Sequence, residues 1–274
     1  MDRPRSTVIA AIEANVLLQT RAFALASPQI RICDEGRIFR IESGLPHPYV
    51  NRVLRARFPA PLMDQQIREV VTSYRSREVP VSWMVGPSSA PVDLGDHLLR
   101  AGLIRERDEV GMAMDLASLS EELAMPPGLA VQRVVDRAGL EQWTEIVGVS
   151  FGLAGYLRSL LCNALAGAVE GDVSAWRLFL GVLDGNAVGA SRLFLHSDVA
   201  GVYHVATLPE ARRRGVGPAM TLAALSEGKR LGYPLAVLRA TPLAESLYGR
   251  LGFKKYCRFS WYLWPKQGIR WKLR

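Results

Sequence analysis

The chain has 274 residues, 49% hydrophobic and 22% charged, which fits a globular protein of one or two domains and excludes disordered, collagen-like and coiled-coil chains. Cys33, Cys162 and Cys257 are widely spaced and form no CxxC pair, so they build neither a disulfide framework nor a zinc site, and a reducing, cytoplasmic location is expected. The net charge of +8 is uneven: residues 1–125 hold 15 Arg against 16 Asp and Glu (net −1), and residues 126–274 hold 14 Arg and 5 Lys against 10 Asp and Glu (net +9).

That excess marks the second half as the anion binder. No run of 18 apolar residues occurs, and Asp2 and Glu13 fall where a signal peptide would lie; neither a membrane-spanning nor a secreted chain is expected.

Residues 6 to 25 read as a helix, with Ser6 as its N-cap, Val8, Ile12 and Val16 at helical spacing, and Asn15 and Gln19 on the surface. Strands are expected at 37–43, 49–56 and 81–85, a helix over 64–77, and a short helix over 93–101 ended by Gly102. Residues 109–114 read as a strand. The segment 121–129, with Pro126, Pro127 and Gly128, is the most linker-like stretch and sets a domain boundary near residue 125.

The second half opens with a strand over 130–135 and helices over 139–149 and 156–168. Strands 176–182, 187–195 and 201–207 follow, joined by Asp184-Gly185-Asn186 and His196-Ser197-Asp198, which implies an antiparallel meander. A helix over 217–231, a strand over 235–238, a helix over 243–251 and a strand pair over 253–264 complete the chain. Residues 244–253 align without gaps against residues 94–103, with Arg250 and Gly252 against Arg100 and Gly102. Both segments follow a short strand, so a duplicated module is indicated.

One stretch carries chemistry. In Val205 to Gly217 a strand runs into a helix through Arg212, Arg213, Arg214, Gly215, Val216 and Gly217, an R-x-x-G-x-G pattern. Glycines allow close approach to the backbone, and the unpaired N–H groups of a first helical turn bind anions such as pyrophosphate. The pattern is neither a Walker loop nor a GxGxxG fingerprint. Pro218 has no N–H to offer, so the phosphate would rest on the amides of residues 213–217.

These residues, with Leu247-Tyr248 followed by Gly252-Phe253, resemble the GNAT superfamily of acyl-CoA-dependent N-acyltransferases. The order of elements from Ala130 to Trp264 is similar as well. The resemblance implies an α+β protein of two GNAT-like modules, each a mixed, mostly antiparallel sheet flanked by helices. Residues 1–125 would be a degenerate copy, lacking the glycine loop and carrying Leu98 where the second copy has Tyr248; residues 126–274 would bind acyl-CoA.

It further implies acetyl transfer from acetyl-CoA, with no metal, to a primary amine of a small molecule by direct attack in a ternary complex. Tyr248 would protonate the departing thiolate. The backbone at Val205, Ala206 and Thr207 would hold the pantetheine and polarise the thioester, and Thr241 would face the pantetheine.

His204 shares a strand face with Ala206 under strict alternation, opposite Tyr203 and Val205. It is read either as the general base for the amine or as a buried structural histidine. Glu210 is read as solvated. Arg239, closing the strand at 235–238 where the fold splays, is a candidate for an acidic acceptor or for CoA. Trp83, Trp143, Phe151 and Tyr156 are candidates for the acceptor cleft. Two rival functions are a non-catalytic acyl-CoA sensor or partner-binding protein, and a nucleic-acid binder prompted by the basic second half and the tail Lys266–Arg274; the basic excess is already partly explained by CoA phosphates, and membrane partners are not expected.

Overall fold

The computed structural model of the chain describes residues 3–120, 125–170 and 175–264. The first half contains α1 (Arg5–Leu25), β1 (Arg31–Asp34), β2 (Ile38–Glu42), β3 (Arg52–Ala56), α2 (Met63–Arg75), β4 (Val81–Val85), α3 (Leu94–Arg100) and β5 (Ile104–Asp115). The second contains β6 (Leu129–Arg133), α4 (Arg137–Phe151), α5 (Gly155–Leu165), α6 (Gly167–Glu170), β7 (Trp176–Leu183), β8 (Asn186–His196) and β9 (Val199–Thr207). It closes with α7 (Val216–Arg230), β10 (Leu235–Ala240), α8 (Glu245–Arg250) and β11 (Lys254–Trp264). Part of the linker-like segment, residues 121–124, and the basic tail lie outside the described residues.

The strands form one sheet, β1-β2-β3-β4-β11-β5-β10-β9-β8-β7-β6. This order exchanges strands between the halves. β5 pairs with β10 from Asp115↔Leu235 to Val110↔Ala240, and β11 pairs with β4 from Ser260↔Val85 to Trp264↔Val81. The aligned segments of the sequence are α3 and α8, each between a short strand and a long one. The centre of β5 is apolar throughout because both its faces are covered: Ala113 joins the core under α1, while Val110, Met112 and Met114 join the opposite one.

One face of the sheet carries α1, α4 and α5 over a core shared by both halves. The other carries α7 and α8 over the second half and α2 and α3 over the first. The expected meander is present: β7, β8 and β9 are antiparallel, with Asp184 and Gly185 at φ +51° and +83°, the left-handed pair a two-residue hairpin requires.

Several expectations are corrected. Pro4, not Ser6, precedes the first turn of α1. Asn15 and Gln19 are buried, because the sheet supplies polar partners for that face of the helix. The expected strand pair over 253–264 is one strand that stays on β5, accommodating its irregularity with a bulge between Lys255 and Cys257. The short β1 was not anticipated. By length and composition α1 could cross a membrane; here Val8, Ile12, Val16 and Phe23 are buried in the core.

Candidate active site

β9 and β10 run parallel only from Val199↔Leu235 to Gly201↔Val237. Beyond that point β9 continues on β8 and β10 on β5. A wedge opens between them, where the splay was expected, and the backbone of residues 202–207 facing it has no ladder partner.

A bulge sits at the same place. Tyr203 faces Arg192 and Ala206 faces Ala190, so His204 and Val205 stand opposite the single Ser191. His204 takes φ +50°, a left-handed backbone that a non-glycine residue adopts at a cost. The bulge overturns strict alternation: consecutive Tyr203 and His204 both face the α1/α4 side. There the Tyr203 hydroxyl donates to Asn15 Oδ1 at 2.6 Å, and the His204 ring packs on Trp143 and Phe151 with centroids 5.7 and 5.9 Å away. α1 comes this close because residue 201 is glycine; a Cβ there would collide with Asn15 Oδ1.

The wedge leads into a cavity of about 300 Å³, nine of whose twenty lining residues come from positions 1–125. His204 Nε2 lies 3.0 Å from the hydroxyl of Tyr49, and its buried Nδ1 has no partner. Burial, then Arg192, Arg52 and Arg239, hold the imidazole well below its ordinary pKa, so it is neutral at neutral pH. His47, also lining the cavity, is lowered to about 4 by burial and by Arg52.

Four arginines and two glutamates share this lining. Glu109 accepts from Arg239 at 2.8 Å and from Arg107 at 3.1 Å, and Arg107 also pairs with Glu106 at 2.5 Å. Burial pushes the Glu109 carboxyl up, but Arg239 and Arg107 more than offset this and hold it below the usual range. Arg192 is 1% exposed; it donates to Gln19 at 2.9 Å and lies 4.0 Å over the Trp176 ring. Arg52 lies 4.1 Å over the Tyr49 ring.

Tyr248, from α8, lines the same cavity with its ring against Phe253. Burial pushes its phenol up to about 12, so it remains a proton donor at neutral pH. Thr241 lines the mouth, and its carbonyl accepts from the amides of Ala244 and Glu245.

The glycine loop lies apart from the cavity lining. Gly215 caps α7 at φ +80°, and no backbone acceptor stands in hydrogen-bond geometry with the amides of residues 213–217 among the described residues. These are the free donors that the pattern implied. Arg212 donates to the Thr207 carbonyl at 3.3 Å and Arg214 pairs with Asp184 at 3.2 Å, so both are already engaged.

The structure thus gathers His204, Val205, Thr241 and Tyr248 at one cavity. Of the proposed cleft aromatics, Phe151 lines it, Trp143 only backs His204, Trp83 belongs to the α2/α3 core, and Tyr156 is exposed. Arg239 is occupied by Glu109. Sequence reasoning missed Tyr49, Arg52 and Arg192. A signal existed for Arg192, the one charge in the run 187–195, whose only other polar side chain is Ser191, since an arginine so placed is buried only for a reason. No group of His, Cys, Asp and Glu able to hold a metal occurs among the described residues.

Comparison with known proteins agrees with this geometry. The family described as acetyltransferase (GNAT) domain matches residues 175–255. A mycothiol acetyltransferase of Pseudarthrobacter chlorophenolicus is 30% identical over 188 residues, 64% of this chain, and the chain spans 57% of that relative's length. A GCN5-related N-acetyltransferase from Kribbella flavida superposes with a TM-score of 0.73 at 17% identity, covering 95% of this chain and 96% of that one. A tandem GNAT protein from the clavulanic acid biosynthesis pathway superposes at 0.61 with 13% identity and 97% of both chains covered. With its C-terminal wedge, glycine loop and meander, the chain carries at residues 175–255 a match to the GNAT acetyltransferase domain, inside a sheet whose fold is shared by a tandem GNAT protein.

Proposed function

We propose that the protein transfers an acetyl group from acetyl-CoA to a primary amine of a small molecule, by direct attack in a ternary complex. The observation that carries this reading is the wedge between β9 and β10, which stands between a loop of unpaired amides and a cavity lined by His204, Tyr248 and four arginines. The amides of residues 213–217, with the Arg213 side chain beside them, would receive the pyrophosphate of CoA. The backbone at Val205, Ala206 and Thr207, with Thr241 opposite, would hold the pantetheine and the thioester.

The amine nitrogen attacks the thioester carbonyl, the carbon–sulfur bond breaks, and Tyr248 gives its phenolic proton to the departing thiolate. The nitrogen must arrive neutral or lose a proton. His204 is the imidazole that lines the cavity; burial and three neighbouring arginines keep it unprotonated but also weaken it as a base, so it takes the proton only in passing, directly or through water, or the amine arrives already neutral.

On this reading residues 1–125 are a degenerate copy and residues 126–274 the catalytic one. The segment after β3 that corresponds to the glycine loop reads Phe58-Pro59-Ala60-Pro61, and its two prolines lack the donors a phosphate needs. The reducing setting suggested by three free cysteines fits a cytoplasmic enzyme. The test is acceptor-dependent release of CoA thiol across amines, amino acids, amino sugars and peptides. Tight acetyl-CoA binding with no acceptor-dependent release from any of them points instead to a sensor.

A further inference from the structure

We propose that the acceptor is a small primary amine that also carries a carboxylate, and that Arg52 and Arg192 hold that carboxylate inside the cavity. The inference rests on the acetyltransferase reading and narrows its acceptor.

The argument begins with charge. Removing a guanidinium from water is costly unless an anion or a full set of hydrogen bonds replaces the water. Of the four arginines lining the cavity, Arg107 and Arg239 are ion-paired with Glu106 and Glu109, although the Nε of Arg239 has no partner. Arg192 faces no carboxylate among the described residues, and Arg52 feels Glu106 and Glu109 across the cavity but forms an ion pair with neither. Arg192 has only the neutral Gln19 as acceptor, and its Nε and Nη1 are buried without partners. Arg52 makes no side-chain hydrogen bond among the described residues, and its Nε is a buried orphan. Four guanidinium groups thus share two carboxylates in this lining, and Arg52 and Arg192 are the two left without a direct ion pair.

Geometry adds to this. Each guanidinium lies over an aromatic ring, Arg52 over Tyr49 and Arg192 over Trp176, which holds the fork in place; Nε and Nη1 of Arg192 and Nε of Arg52 remain without partners, donors that a carboxylate can take. Arg52 comes from β3 and Arg192 from β8, on opposite sides of the exchanged strands, so the anion site needs both halves of the chain. The phosphates of CoA have their own donors in the loop 212–217, which does not line this cavity. A volume of about 300 Å³ lies at the small end of ligand sites, which run from about 300 to 1,000 Å³, and suits an amino acid better than a large conjugate.

The experiment compares matched acceptors on the wild-type enzyme: α- and ω-amino acids, the amide of each, the corresponding simple amine, and aminoalkyl phosphates. We expect kcat/KM for the acid to exceed that of its amide by roughly a hundredfold, because a site built for the carboxylate is left with unpaired buried cations by the analogue. Arg52→Gln should raise KM for the acid and bring the acid-to-amide ratio near unity, with the affinity for CoA unchanged; Arg192→Lys, which keeps the charge and the fold, should lower the ratio part of the way.

Equal rates for acids and amides, or preference for a phosphate, overturn the carboxylate site while leaving the acetyltransferase reading intact. If no amine is acetylated, calorimetry with the same amino acids still decides: binding lost in Arg52→Gln supports the site, and binding unchanged by the substitution refutes it.

Discussion

His204 and Tyr49 are 155 positions apart in the chain, and the Nε2 of one lies 3.0 Å from the hydroxyl of the other. The contact exists because the bulge in β9 turns His204 toward the short 3-10 turn Pro48–Val50. It makes the first half of the chain a direct neighbour of the proposed base. Tyr49→Phe keeps the ring under Arg52 and removes only the hydroxyl, so turnover should fall several-fold with CoA affinity unchanged. His204→Ala should lose most below the pKa of the amine and recover partly at high pH, where the amine arrives neutral. A pH-independent loss in His204→Ala assigns the histidine a structural role.

Tyr248→Phe tests the proton donor. Its phenol, pushed up to about 12 by burial, is protonated throughout the working range, so the wild-type profile should show no fall in rate from this group below pH 10. The variant preserves the packing on Phe253 and should lower kcat by about 10- to 100-fold, the usual span for a general acid being roughly 10² to 10⁴, while calorimetry returns the wild-type affinity for acetyl-CoA. Wild-type turnover in the variant removes Tyr248 from the mechanism.

Two glycines in the loop should behave differently. Gly215 sits at φ +80°, and a Cβ there would approach Pro126 Cγ to 2.9 Å, whereas a Cβ at Gly217 would meet only Thr207 Oγ1 at 3.9 Å. Gly215→Val should therefore lower the melting temperature as well as the CoA affinity. A bulky side chain at the second position, as in Gly217→Val, should weaken CoA binding with little loss of melting temperature, which thermal unfolding with and without acetyl-CoA resolves.

Acid should destabilise the fold in a defined window. His47, at about 4, and His204, well below 6.5, are both depressed by burial and neighbouring arginines, so between pH 4 and 6.5 the unfolded chain binds more protons than the folded one. Stability is therefore fully present above about pH 6.5 and declines as the pH falls, by about 1.4 kcal/mol per unit for each histidine at most. Urea midpoints at pH 7 and 4.5 measure this, and the difference should shrink in His47→Gln.

The exchanged strands predict cooperative folding of the whole chain and one CoA per chain. Residues 126–274 alone leave β10 without β5, and β11 without both of its partners, exposing apolar edges that favour aggregation. Expression of either half should yield insoluble or unfolded protein, and co-expression should restore the fold. Calorimetry of the full chain should count one acetyl-CoA; two would contradict the reading of Pro59 and Pro61 as barriers to phosphate binding in the first half.

The sequence by itself determined what local chemistry dictates. The meander follows from its turn residues, the anion loop from glycines at a strand-to-helix junction, the helix stop from Gly102, a residue free to take the left-handed φ it shows at +88°, and α8 with Tyr248 from apolar spacing. It also aligned residues 94–103 with residues 244–253, which the structure places in and around α3 and α8, each helix between a short strand and a long one. What it left open are features set by contacts between residues far apart. The exchange of β5 and β11 is invisible in any window, because both strands are apolar enough to pair with either half.

The bulge at His204 depends on the register of β9 against β8, and it cancels the alternation that sequence reading must assume. Asn15 and Gln19 read as surface residues because a polar side chain on a helix ordinarily is one; here Tyr203 and Arg192 supply their hydrogen bonds. Only the tertiary structure sets Arg52 and Arg192 against one cavity, since desolvation and charge pairing are properties of the assembled interior and not of any stretch of chain.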